Sequence, residues 1–501
     1  MPLKPNPAMA LHELSALELS EGIHSQAFSC QEVMDCFLLQ IQKFNPSFNA
    51  IVNLRAKESL MLEAKAADDA LLQGRSKGWM HGLPIAVKDL AQTAGVATTM
   101  GSVLLKNNVP KEDAFMVSRM RQSGAILIGK TNTPEFGLGS HTFNSLFGTT
   151  SNAYNQSLSA GGSSGGAACA LALRMLPVAD GSDFMGSLRN PAAWQNIFGL
   201  RPSQGRIANL PSNELFLTQL GVEGPMARNM ADLCMLLGTQ AGDDHRFPMG
   251  LGESSKAFAK EMFELAHHRE LSNANLSGIK MGWLGDLGGY LPMEQGILSQ
   301  CDRGLERFSS AGAVVEDVPP NFDPAKVWSA WLTLRHAYVA HRLSPVMALP
   351  QAAEHMKPEA LWEVHAGLEI KAIDFLNASQ TRSLLYQRLL ELLGRYEVLC
   401  LPSAQVWPFN KETHWPQFIQ TQRGKVAMDT YHRWMEVVIY ATLAGLPTLS
   451  VPTGFNDEGL PMGLQLIGQP KGEAQLLKIG RIYESHIKDW LSMRPSALKT
   501  P

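Results

Sequence analysis

Three segments of the chain concentrate side chains able to do nucleophilic chemistry. The first, Gly82-Leu-Pro-Ile-Ala-Val-Lys88-Asp89, ends an apolar run on a lysine. Burial disfavours the ammonium and lowers its pKa, which can make a lysine a base near neutral pH. The second, Ser159-Ala-Gly-Gly-Ser163-Ser164-Gly-Gly166, sets four glycines around two serines, a backbone free to take unusual angles as it leads into a helix. The third, Gly181-Ser-Asp-Phe-Met-Gly186-Ser187-Leu-Arg189-Asn-Pro191-Ala192, presents a serine after a tight turn with several adjacent backbone N–H groups. Such a serine can attack a carbonyl while the N–H groups hold the oxyanion. Asp183 and Arg189 are close enough to brace that turn, a structural role more than a chemical one. Each segment alone also has a bland reading: a surface lysine at a strand end, a flexible loop or helix cap, a braced turn.

The elements that must position these groups alternate. Short apolar runs at Leu83–Val87, Ala125–Ile128 and Val178-Ala179 read as buried strands, with helices at Ala114–Met120 and Ala167–Leu176 between them. Further strands are expected at Ile279–Leu284, Ala313–Val318, Val398–Leu401, Thr448–Val451 and Met462–Ile467. This order predicts an α/β architecture with a large mixed or parallel sheet. Ser29 and Glu32 fit a capping box, and Val33, Phe37, Ile41 and Phe44 then recur at helical spacing until Pro46. Pro324–Leu393 reads as helical and rich in Leu and Trp, and Asp243–Ser255 and Ala404–Gly424 read as loops. The expected organisation is an N-terminal helical arm over residues 1–64, one catalytic domain over 65–485 with a specificity region near 320–395, and a tail over 486–501.

Composition narrows the function. With 45% hydrophobic and 18% charged residues the chain can bury a large core, so disorder is excluded as its main state. A net charge of −3 and no Lys/Arg run argue against nucleic acid as a partner. The N-terminal stretch shows no apolar signal region, and Ala167–Ala179, interrupted by Arg174 and Pro177, is too short to span a bilayer. The six cysteines are dispersed, as expected of reduced thiols in a cytoplasmic protein.

Several motifs are decoys. Gly124-Ala-Ile-Leu-Ile-Gly129-Lys130-Thr131 fits the phosphate-loop pattern, but its apolar centre suits a buried strand better than a curl around an anion. Gly161-Gly-Ser163-Ser-Gly165 fits a hydrolase nucleophile elbow, yet Tyr154–Ala160 before it is polar and loop-like. Ser496 and Lys499 stand in a frayed tail unable to hold a catalytic pair. His267-His268 and His336/His341 lack a third ligand at metal-site spacing.

Taken together, the three chemical segments resemble the amidase signature family. The likeness rests on GLPIAVKD, GGSSGG, and GSDFMGSLRNPA followed by FGLRPSQGR at residues 198–206, with weaker echoes at Asp113–Phe136 and Leu446–Gly468. The resemblance implies an amidase-signature fold, a large mixed sheet covered by helices on both faces. It implies a Ser–cis-Ser–Lys triad, with Ser187 the nucleophile and Ser163, held by a non-proline cis peptide, bridging it to Lys88. Ser164 would support the network. Backbone N–H groups of Phe184, Met185, Gly186 and Ser187 would form the oxyanion hole. Neither metal nor cofactor is required. One departure stands out: the family usually has a glycine pair before the nucleophile, and here Met185 replaces the first glycine. A side chain there restricts the turn if φ must be positive.

The implied function is a carbon–nitrogen hydrolase acting on linear amides, releasing a carboxylate and ammonia or an amine. Esters and carbamates share the acylation chemistry. Phe143, Leu146, Phe147, Trp328 and Trp331 are the expected lining of an apolar pocket for aryl or alkyl amides. The alternative is a protein like the A-subunit of a glutamine-dependent amidotransferase, working with partner chains. A binding protein that merely kept the fold would have no need of all three triad residues. A homodimer is common enough in such enzymes to be named as a candidate assembly, though no stretch of the sequence marks an interface.

Overall fold

The structure is a computed structural model and describes residues 10–499. The opening residues 1–9 of the arm and residues 500–501 of the tail lie outside the described residues. Helices Ala16–His24 and Cys30–Phe48 open the chain. The expected capping box is present: Ser29 accepts the Glu32 N–H, and the Glu32 carboxylate accepts that of Ser29. Val33, Phe37, Ile41 and Phe44 are all buried against the body. The helix does not stop at Pro46 but continues to Phe48. A proline in the last turn removes a single N–H, and the turn survives that loss. Asn49, in the left-handed region at φ 51°, ends it, while the Asn45 side chain accepts the N–H groups of Ala50 and Ile51.

The boundary expected at residue 64 falls inside the Lys57–Leu72 helix. The first segment also gives a strand, β1 (Ile51–Val52), to a small sheet. That sheet has the order β1-β3-β2, with β2 at Pro84–Lys88 and β3 at Ile126–Thr131. The phosphate-loop look-alike is therefore β3, buried along its whole length. A short hairpin, β4 (Phe143–Asn144) and β5 (Gly148–Thr149), follows.

An eight-stranded sheet forms the large core. Its members in chain order are β6 (Ala179–Asp183), β7 (Phe198–Arg201), β8 (Val222–Ala227), β9 (Lys280–Trp283), β10 (Val314–Asp317) and β11 (Val398–Pro402). An outlying hairpin follows, β12 (Phe418–Thr421) with β13 (Gly424–Ala427), and then come β14 (Thr448–Phe455) and β15 (Pro461–Ile467). The sheet order is β10-β9-β11-β15-β14-β7-β8-β6. β9 pairs parallel with β10 and β11, and the other neighbours are antiparallel, so the sheet is mixed. Helices flank it, and the strands nearest the middle are wholly buried.

Three local expectations need correction. Ala404–Gly424 is not all loop, since β12 lies in it and pairs with β13 through Ile419, which faces inward. Pro324–Leu393 is broken into Pro324–Met347, Ala352–His355, Pro358–Leu368 and Ala372–Leu393. The segment from 486 is not a loose tail: Trp490 is buried in the Lys488–Leu491 helix, and its carbonyl accepts the Asn196 side chain at 2.9 Å. Among the described residues no helix is long and apolar enough to cross a membrane.

Candidate active site

Lys88 ends β2 where the small sheet meets β6 of the large one. Its side chain is 1% exposed. Nζ donates to Ser163 Oγ at 2.7 Å, Ser164 Oγ at 2.8 Å and Ser182 Oγ at 3.0 Å. Burial pushes the Lys88 pKa down to about 7, against the opposing pull of the Asp180 and Asp183 carboxylates, while the charge of Arg342 lowers it further. A lysine here is partly neutral at physiological pH, so it can accept a proton.

Sequence reasoning missed Ser182 and Asp180. The signal was available: residues 180 and 182 alternate on one face of β6, and that face meets Lys88. Behind them, burial raises Asp180 to about 6 and lowers Lys130 to about 8, with Lys130 donating to the Ala91 carbonyl and Thr93 Oγ1.

The second segment is fixed from several sides. The Gly162–Ser163 peptide is cis. The Gly161 carbonyl accepts Thr142 Oγ1 and the Gly162 carbonyl accepts Ser140 Oγ, each at 2.8 Å. The helix that follows, Gly165–Ala172, is built from Gly, Ala, Cys and Leu alone and is buried throughout. Small side chains are what allow a helix to sit this deep. At Gly166 a Cβ would stand 2.4 Å from the Asn132 nitrogen and 2.5 Å from the Ala50 carbonyl oxygen, so backbone packs on backbone. No strand precedes Ser163, as the elbow motif would need.

The third segment turns sharply after β6. The Asp183 carboxylate accepts the N–H of Gly186 at 2.8 Å and that of Leu188 at 3.2 Å. Arg189 grips the same carboxylate through Nε and Nη2, both at 2.9 Å, and Arg201 donates to the Asp183 carbonyl. All three side chains are fully buried. The paired guanidinium groups hold the Asp183 carboxyl well below the usual carboxylate range, despite burial acting the other way.

The geometry corrects two expectations about the turn. Gly186 was expected among the oxyanion donors, but its N–H is taken by Asp183. The N–H groups of Phe184, Met185 and Ser187 have no acceptor among the described residues. The residue needing a positive φ is Gly186, at 79°, and not Met185. A methionine is therefore compatible with the turn. Ser187 lies in this turn, 5% exposed. Its hydroxyl has no hydrogen-bond partner among the described residues. The structure brings Lys88, Ser163, Ser164 and Ser182 into direct contact. It joins the two serine segments through Asn190, whose Oδ1 accepts the Gly162 N–H at 3.4 Å, without a hydrogen bond from Ser187 to Ser163.

The expected apolar lining is largely elsewhere. Trp331 is fully buried behind the turn against Phe184, and Trp328 packs on His432 and Arg433. Leu146 and Phe147 occupy the link between β4 and β5, where their N–H groups cap Asn144. Leu146 and Phe147 are half-buried there, and none of these four residues lines the cleft beside the second serine segment. Phe143 does line it, together with Lys357, Glu359, His414 and Tyr431. A buried ionic cluster stands beside it: Arg335 donates to Glu363 at 2.5 Å and to Tyr431 at 2.6 Å, and His336 meets Glu363 at 2.6 Å. Arg335 also reaches Met185 Sδ at 3.9 Å. Its signal was hidden, because charges spread over residues 335–431 meet only in the fold.

The Amidase family model matches residues 32–477, and the chain belongs to that family. It is 29% identical over 508 residues to the A-subunit of glutamyl-tRNA(Gln) amidotransferase from Acinetobacter baumannii strain AB0057, covering 97% of this chain and 98% of that protein. The protein of the same name from Nitrosococcus oceani is 30% identical over 516 residues, covering 97% and 100%. Among solved structures, a bacterial aryl acylamidase of the amidase signature enzymes aligns with a TM-score of 0.86 at 26% identity, covering 97% of this chain and 100% of that one. The peptide amidase of Stenotrophomonas maltophilia aligns with a TM-score of 0.79 at 25% identity, covering 96% and 98%. The protein is thus a carbon–nitrogen hydrolase acting on amides.

Proposed function

We propose that the protein hydrolyses carboxylic acid amides through an acyl-Ser187 intermediate, with Ser163 relaying the proton to neutral Lys88. The observation that carries this reading is the 2.7 Å contact of Lys88 Nζ with Ser163 Oγ, in a buried setting that brings the lysine to about 7. Ser187 attacks the amide carbonyl as Ser163 takes its proton and passes its own to Lys88. The free N–H groups of Phe184, Met185 and Ser187 stabilise the tetrahedral oxyanion. The relay then runs backwards and protonates the leaving nitrogen, which otherwise leaves poorly. Water hydrolyses the acyl-enzyme by the same route. This relay requires a Ser187–Ser163 hydrogen bond to form as substrate binds, since catalytic hydrogen bonds often tighten only in the complex.

Aryl or alkyl arms fit beside the Phe143 and Tyr431 rings, and esters and carbamates are further candidates. Six free cysteines, five of them buried, suit a reducing cytoplasmic setting. The test is covalent labelling with a fluorophosphonate, locating the adduct by mass spectrometry. An adduct on Ser187, lost in Ser187→Ala and slowed in Lys88→Ala, is the expected result. An adduct on Ser163 alone would overturn the assignment.

A second reading is an amidotransferase component of the A-subunit type, supported by full-length likeness to proteins of that name. Ammonia release from simple amides by the chain alone separates the two, since the second reading requires partner chains.

A further inference from the structure

The Pro324–Met347 helix carries Arg335 and Arg342 two turns apart on one face, roughly 10 Å along its axis. Their surroundings differ. Arg335 is buried and matched by Glu363 and Tyr431. Arg342 is exposed, and among the described residues it makes no ion pair. Its Nη2 donates to the Phe136 carbonyl at 2.5 Å. Phe136 is held in the left-handed region at φ 54° and is followed by Gly137, where a Cβ would stand 3.6 Å from Ser163 Oγ. The guanidinium is therefore moored within a residue or two of the proton relay. Its charge is felt at Lys88, whose pKa it lowers.

The nearby carboxylates are committed elsewhere. Glu363 is engaged by Arg335 and His336. Glu135 accepts the Lys357 N–H, and Glu359 meets His414. The Lys357 ammonium, donating to the Leu138 carbonyl, faces both Glu135 and Glu359. Arg342 is left as a charge with an open fork of donors at the site. Planar N–H pairs of this kind suit a carboxylate.

We propose that Arg342 receives a carboxylate carried by the amide substrate, making the enzyme selective for amides of anionic molecules. This rests on the acyl-Ser187 reading above. It replaces a purely apolar pocket with one in which an aromatic wall and a single cation orient the substrate. A merely superficial arginine would leave substrate preference untouched.

The test uses the full chain and two matched pairs of amides. Glutaramate against pentanamide places the charge on the acyl arm, and N-acetyl-β-alanine against N-acetylpropylamine places it on the amine arm. The readout is protection of Ser187 from a fluorophosphonate over a ligand series, with product release measured alongside. At least one anionic member should protect at concentrations about ten- to a hundredfold below its neutral partner, the range of a charge-assisted hydrogen bond. Arg342→Gln should erase that ratio, and Arg342→Lys should restore part of it. Lys326→Gln, an exposed change on the same helix, should keep it. Equal protection within both pairs, or a ratio unchanged in Arg342→Gln, would overturn the proposal while Ser187 still labels. Failure of the wild-type chain to label at all would overturn the acyl-Ser187 reading, and this proposal with it.

Discussion

The backbone N–H of Lys88 donates to both oxygens of the Asp180 side chain, at 3.2 and 3.1 Å. A carboxylate from β6 thus stands where a neighbouring strand would offer a carbonyl. It sews the edge of the small sheet to the edge of the large one and brings a negative charge beside the lysine. Position and pKa of the proposed base are set by the same residue.

Asp180→Asn separates those two effects, because an amide oxygen can still accept the Lys88 N–H. Lys88 must be neutral to act, so kcat/KM should rise with pH through about 7 and level off above it. Asp180 raises the lysine pKa, so its replacement by Asn should move that limb to lower pH. A pH–rate profile on an amide substrate checks this, and a limb that stays in place would refute it.

The serines should rank by role. Ser187→Ala should lower amide hydrolysis by at least about 10⁴-fold, and Ser163→Ala by about 10²–10⁴-fold. Ser182→Ala, which removes one of several contacts to Lys88, should cost about two- to tenfold. The Ser163→Ala defect should shrink on an activated ester, whose leaving group needs no proton. Steady-state kinetics on a matched amide and ester measure all four quantities.

The Asp183–Arg189 pair should matter for stability as well as activity. Arg189→Met leaves the buried carboxylate with fewer partners and should cost about 3–5 kcal/mol in denaturant unfolding. The folded pKa of Asp183 is depressed below its ordinary 3.8. Its stabilisation is therefore complete at neutral pH and lost only as acid titrates the carboxylate below that ordinary value. Acid unfolding of Asp183→Asn should accordingly show a weaker pH dependence there than the parent.

Gly186→Ala tests the turn directly. A side chain at φ 79° is strained and would meet Val438 at 2.8 Å. The cost should be about 1–3 kcal/mol in stability, with slower labelling of Ser187. Labelling at the parent rate would show that the turn tolerates a different conformation.

Much of this site is legible in the chain because its chemistry is carried by short local blocks. Lys88 ends an apolar run that reads as a buried strand, and the glycines around Ser163 point to a special backbone. The strand positions were readable for a related reason: β2, β3, β14 and β15 are buried on both faces and carry short apolar stretches such as Ile126–Ile128. What local pattern leaves open is which distant segments meet. Trp331 and Phe143 are equally aromatic, yet one is core and the other lines a cleft, a difference set by packing across the fold. The Arg335–Glu363–Tyr431 cluster and the place of Arg342 depend on contacts across dozens of residues and leave no spacing to read. The oxyanion donors could not be sorted either, because Gly186 is claimed by a side chain whose direction only the turn reveals.

The buried helix Gly165–Ala172 has a bearing on how such a protein can change. Every residue of it is buried, and a side chain at Gly165 would meet Thr142 while one at Gly166 would meet the Asn132 and Ala50 backbone. New substrate preferences can hardly arise by drift through that segment. They have to be written in the broken helices of Pro324–Leu368, whose side chains, Lys357 and Glu359 among them, reach the cleft. The machinery and the vocabulary of substrates are thus inherited separately.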